Sequence, residues 1–155
     1  MSPQADSPGV RFPPPLIFAA DLFFGWCVSI WFPTRWLPMG ISRMLGWIFV
    51  GLGLALAGWA LATFRRTGTT FRPHRPATKL AIRGPYRFTR NPMYVALTLV
   101  YFGLAILLQS IWALLLLPLV LIFIARRVIG PEERYLERRF GADYLHYKAQ
   151  VRRWI

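Results

Sequence analysis

Acidic residues are what this 155-residue chain has least of: six, against nineteen Lys and Arg, for a formal net charge of +13. Asp6 and Asp21 come early, and no other acid follows until Glu132. A zinc site would need ligands that this acid-free middle does not supply. Two histidines, His74 and His146, are too few for a histidine-rich di-iron membrane oxygenase. The single cysteine, Cys27, excludes an internal disulfide and any thiolate metal cluster. Charged residues make up 16%, below the about 25% of ordinary soluble proteins, so the basic excess does not read as a nucleic-acid surface. Hydrophobic residues make up 55% and gather in long runs, which makes a lipid bilayer the expected partner.

Residues 1–15 are polar and proline-rich and read as a flexible lead-in without the basic start of a cleaved signal peptide. Apolar stretches at 16–32, 41–64, 92–108 and 111–128 predict four transmembrane helices. Pro33, Pro38 and Gly40 punctuate the first connection, and Gln109-Ser110 makes the last one a tight antiparallel hairpin. Gly46, Gly51, Gly53, Ala57 and Gly58 recur along the second stretch, where small residues let another helix approach closely. Asp21, near the start of the first stretch, reads as a helix-packing or interfacial carboxylate. The tail from 131 to 155 is amphipathic and divides at Gly141. Tyr144, Tyr147, Val151 and Trp154 form one stripe, opposed by Arg138, Arg139, Lys148, Arg152 and Arg153, which predicts a helix lying at headgroup level.

The expected fold is therefore an all-α integral membrane protein with four transmembrane helices and a C-terminal amphipathic helical tail on the cytosolic face. The expected units are the lead-in at 1–15, the first two spans at 16–64 and a catalytic core at 65–155. Most Lys and Arg fall in the connection at 65–90 and in the tail, so the positive-inside bias places both termini in the cytoplasm, as in a bacterial inner-membrane protein.

Two constellations carry chemistry. The first runs Gly84-Pro85-Tyr86-Arg87-Phe88-Thr89-Arg90-Asn91-Pro92-Met93-Tyr94. Asn91 suits a helix N-cap and Pro92 the first helical position. Tyr86, Phe88 and Tyr94 alternate there with arginines. Helix-start amides and guanidiniums suit a carboxylate or phosphate, and the aromatics suit a flat ring or a cation. The second is Pro131-Glu132-Glu133, followed by Leu136 and Phe140-Gly141-Ala142-Asp143-Tyr144. Adjacent glutamates point about 100° apart around a helix, so one can face the basic connection while the other meets a ligand.

In this order, separated by an apolar hairpin, the two constellations resemble the superfamily of isoprenylcysteine carboxyl methyltransferases and phospholipid methyltransferases. Its members carry Gly-x-Tyr, Arg-His/Asn-Pro-x-Tyr, two spans, Glu-Glu-x-x-Leu and Phe-Gly-x-x-Tyr. The prenylcysteine enzymes typically have His where Asn91 stands and Gly where Ala96 stands, and Asn91 resembles the bacterial branch more closely. The resemblance implies S-adenosylmethionine as cofactor and a lipidic or hydrophobic small molecule as methyl acceptor. It assigns cofactor binding to Gly84, Tyr86, Asn91, Pro92, Met93, Tyr94, Glu132 and Tyr144, and catalytic roles to Arg90 and Glu133. Glu133 is the expected base if the acceptor is an amine. Two other functions fit parts of the sequence: a non-catalytic scaffold holding anionic lipid or a partner on its basic segments, and a small four-helix transporter using Asp21.

Overall fold

The computed structural model describes residues 13–67 and 80–154, and among these residues every regular element is helical. Most of the expected lead-in and the centre of the basic connection, His74 included, lie outside the described residues. The elements run α1 (Pro14–Trp31), α2 (Met39–Thr67), a 3-10 turn (Gly84–Arg87), α3 (Pro92–Leu107), α4 (Ile111–Ile124), a π-helical turn (Ala125–Ile129), α5 (Gly130–Phe140) and α6 (Ala142–Gln150). Three helical runs are long and apolar enough to cross a membrane: Pro14–Trp31, Met39–Arg66 and Ile111–Phe140. Helix α3, at 16 residues, is shorter.

The run Ile111–Phe140 departs from the expected break between a fourth span and a separate tail. It is one 30-residue helix whose apolar part, α4, ends ahead of Arg126 and Arg127 and is continued by the polar α5. Pro131 explains the π-helical turn before it. Proline has no N–H to donate and its ring crowds the carbonyl four residues back, a conflict that one wider turn relieves without ending the helix. The extra residue in that turn resets the faces on which Glu132 and Glu133 emerge.

Packing pairs α2 with α3 and α1 with α4, although the tight turn at Gln109-Ser110 joins α3 directly to α4. The α2–α3 seam is made by backbone approach. A Cβ on Gly103 would stand 2.6 Å from the Gly46 carbonyl oxygen and 2.8 Å from the Val50 nitrogen. One on Gly53 would stand 2.8 Å from the Ala96 carbonyl. Gly51 and Gly58, expected in the same role, face open space. Between α1 and α4, Gly25 lies against the Ala113 backbone. Asp21 serves this packing: the Tyr101 hydroxyl donates to its carboxylate and lies 2.7 Å from the Ala113 carbonyl, tying α1, α3 and α4 together.

Gly141 divides α5 from α6 as expected, with a φ of 54° that suits glycine. Part of the tail's aromatic stripe packs on protein. Tyr144 and Tyr147 are buried, α6 ends at Gln150, and Trp154, beyond the helix, packs against the main apolar cluster of α1, α3 and α4. The segment around Tyr86 covers one member of the stripe, the Tyr86 carbonyl accepting from the Tyr147 hydroxyl.

Candidate active site

The site forms where the segment before α3 meets α5 and the tail. Gly84 has a φ of 60°, and a Cβ there would lie 2.5 Å from Thr63 Oγ1, so only glycine lets the 3-10 turn seat against the end of α2. Its contribution is thus to place Tyr86. The Tyr86 ring packs edge-on against Phe64, at 5.1 Å between centroids, and its carbonyl accepts a 2.7 Å hydrogen bond from the Tyr147 hydroxyl. Met93 packs against the same small cluster of Ala60, Ala81 and Tyr86.

Asn91 occupies the N-cap position of α3, but its side chain does not cap the helix. Its Nδ2 donates to the Arg153 carbonyl at 2.9 Å, and its backbone N–H donates to Thr89 Oγ1 at 3.1 Å. Thr89 Oγ1 donates in turn to the Arg153 carbonyl at 3.1 Å, and the Arg90 N–H donates to the Arg152 carbonyl at 3.0 Å. The tail carbonyls therefore compete successfully with helix capping. Pro92, fully buried, starts the helix without needing a donor partner.

The two glutamates do face different groups. Glu132 accepts a 2.9 Å hydrogen bond from the Tyr94 hydroxyl. Glu133, 6% exposed, lies 3.3 Å from Arg90 Nη1 and accepts from Arg153 Nε and Nη2 at 3.1 and 2.6 Å. Arg153, expected on the solvated side of the tail, is instead the principal partner of Glu133. Two guanidiniums around one buried carboxylate leave that carboxylate fully engaged. Tyr144 stacks edge-on with Tyr147 at 6.2 Å and contacts Arg90.

Electrostatics separates the two acids further. Glu132 lies on α5, outside the apolar part of its helix. Burial raises its pKa from the ordinary 4.5 to about 7; the Tyr94 hydrogen bond opposes the rise and the neighbouring Glu133 adds to it. Burial likewise raises Tyr86, with Tyr147 and Glu132 adding to the effect, so its phenol stays neutral. Three polar atoms in this cluster are buried without a hydrogen-bond partner in the protein: Tyr86 Oη, Arg90 Nε and Arg90 Nη1. The last is near Glu133 in distance but off hydrogen-bonding geometry. Such orphans are uncommon in folded proteins.

Every residue expected at the site except Gly84, Pro92 and Met93 thus presents a polar side chain to the cluster, and those three shape the backbone and apolar wall around it. Thr89, Tyr147 and Arg153 also belong to the cluster and were not among the expected site residues. Tyr147 was visible only as part of an aromatic stripe, and nothing in the local pattern marks Arg153 apart from its basic neighbours. His146 is exposed and pairs with Gln150 one turn on, away from these groups.

A family model described as phospholipid methyltransferase matches residues 41–143, from the start of α2 to the start of α6. An uncharacterized protein of Haemophilus influenzae is 36% identical over 63 residues, which covers 41% of this chain and the whole of that relative. No solved structure matches the chain.

Proposed function

Because the chain belongs to the phospholipid methyltransferase family, we propose that it transfers a methyl group from S-adenosylmethionine to a lipidic or hydrophobic acceptor at the cytosolic membrane face. In this reading α3 is a fourth, short crossing, and the arginine-rich ends of α2 and α5 face the cytosol, in line with the positive-inside bias. The observation that carries the proposal is the set of buried, unpartnered atoms on Tyr86 and Arg90 beside two carboxylates. A scaffold that holds lipid by its basic surface would keep Arg90 outward, whereas its side chain is 10% exposed and turned onto Glu133.

The residues present fit the methyl donor. Arg90, ion-paired with Glu133 through Nη1, keeps an Nε without a hydrogen-bond partner that suits the donor's carboxylate, and the Tyr86 and Tyr94 phenols with Glu132 suit its hydroxyls and its cationic centre. When bound, the donor supplies an electrophilic methyl carbon. Displacement at carbon asks mainly for alignment and exclusion of water, which the burial of Tyr86, Glu133 and Tyr144 favours. If the acceptor is an amine, we assign the proton it sheds to Glu132 rather than to Glu133. Glu133 is committed to Arg90 and Arg153, while Glu132 holds a single phenol and titrates near neutrality. Glu133 then acts as the anchor that orients Arg90.

Calorimetric titration of the detergent-purified chain with S-adenosylmethionine and with its demethylated product tests the proposal. Saturable binding is expected, weakened about fivefold to tenfold in Tyr86→Phe and more strongly in Arg90→Ala. The Tyr86 variant removes an atom without a protein partner, so it should fold normally. Absence of binding at millimolar ligand, or unchanged affinity in both variants, would overturn the reading.

A further inference from the structure

At the opposite end of the helices, one α3 length from Arg90 (about 24 Å at 1.5 Å per residue), a cleft of about 640 Å³ opens between the α1–α2 connection and the α3–α4 turn. Its walls include Thr34, Arg35, Trp36, Leu37, Leu108 and Gln109. Three buried polar atoms here have no hydrogen-bond partner in the protein: Thr34 Oγ1, Trp36 Nε1 and Gln109 Oε1. They differ in kind. The indole N–H only donates, the threonine hydroxyl can donate, and the Gln109 oxygen only accepts. The amide orientation follows from the partner of Gln109 Nε2, which donates to the Leu37 carbonyl at 3.0 Å. Gln109 also has a φ of 54°, the one positive value among described non-glycine residues, which a simple turn would more readily assign to glycine or asparagine.

We propose that this cleft binds the headgroup of a glycerophospholipid carrying a hydrogen-bond donor in addition to its phosphate. Arg35, which is exposed, with the Thr34 hydroxyl and the Trp36 N–H, supplies a cation and two donors for phosphate oxygens. Gln109 Oε1 accepts from an ammonium or hydroxyl at the far end of the headgroup. Leu37 and Leu108 supply the apolar rim along which acyl chains leave. Trp31, 82% exposed, and Trp112, whose N–H donates to the Phe32 carbonyl at 3.1 Å, border the same end. Tryptophans gather at headgroup depth, which favours a lipid over a dissolved anion as the occupant. The site shares no residue with the Arg90–Glu133 cluster and does not depend on methyl transfer.

Native mass spectrometry of the purified full chain in micelles containing equal phosphatidylglycerol, phosphatidylethanolamine and phosphatidylcholine reads the selectivity. The first two lipids have a headgroup donor and phosphatidylcholine has none. Each should be retained about fivefold over phosphatidylcholine, the worth of one hydrogen bond. Gln109→Leu should reduce that ratio to about one. Trp36→Phe and Thr34→Val should lower retention of all three lipids by similar factors. Because Trp36 Nε1 and Thr34 Oγ1 have no protein partner, these two variants should not lower the unfolding temperature in lipid-free detergent. Equal retention of the three lipids by the unmodified chain, unchanged retention in both the Trp36 and Thr34 variants, or full competition by equimolar soluble glycerophosphoethanolamine would each overturn the proposal.

Discussion

Glu132→Gln separates the two consequences of a carboxylate buried beside a phenol. In the folded chain its pKa stands at about 7, against an ordinary 4.5, chiefly because burial disfavours the charge. Between these values the folded state holds a proton that the unfolded state has released. Stability therefore falls as pH rises through this window, and the penalty is fully developed above about pH 7. The difference corresponds to about 3 kcal/mol. Glutamine keeps the shape and a carbonyl to accept from Tyr94 but never carries the charge. The variant should match the unmodified chain in unfolding temperature near pH 4, exceed it increasingly from pH 5 to 7 and keep a constant lead above that, while methyl transfer to an amine acceptor is lost. Thermal unfolding in detergent at matched pH values reads the first effect. A stability difference that stays constant across the window would refute the assignment of a raised, titrating Glu132.

If Glu132 faces the sulfonium, donor affinity should rise with pH through 7 as the carboxylate ionises, whereas the neutral demethylated product should show a smaller dependence; parallel titrations at pH 6 and 8 distinguish them. Arg153→Ala removes both hydrogen bonds to the buried Glu133 and should cost roughly 2–3 kcal/mol, read as a lower unfolding temperature at neutral pH. Gly103→Ala places a Cβ 2.6 Å from the Gly46 carbonyl and should destabilise by about 1–3 kcal/mol, while Gly51→Ala, which meets nothing, should not destabilise, as comparative unfolding will show.

The apolar helices were legible from composition because lipid demands long uncharged runs, and the resulting pattern survives any rearrangement of neighbours. The division of the tail was legible for a local reason: Gly141 adopts a positive φ that few other residues tolerate. The pairing of Gly84–Tyr94 with Glu132-Glu133 could be anticipated because the acids are so scarce that the arginines have few other partners.

Local sequence rules did not reach the contacts made across the fold. Asn91 looked like a helix cap, and its side chain was claimed by a tail carbonyl from residue 153. Pro131 looked like the start of a new helix, and a π-helical turn carried the old one through it. Glu133 looked like the base, and two arginines from distant segments engaged it, leaving Glu132 with a single phenol. Of the five small residues along α2, only the approach of α3 distinguished Gly46 and Gly53, which touch it, from Gly51 and Gly58, which do not. Hydropathy and backbone preference are properties of a residue and its immediate neighbours, so the sequence alone determined where the apolar helices form and where Gly141 divides the tail. Which carboxylate is paired and which glycine is pressed against another backbone depends on groups brought together from far along the chain, and only the tertiary structure could decide them.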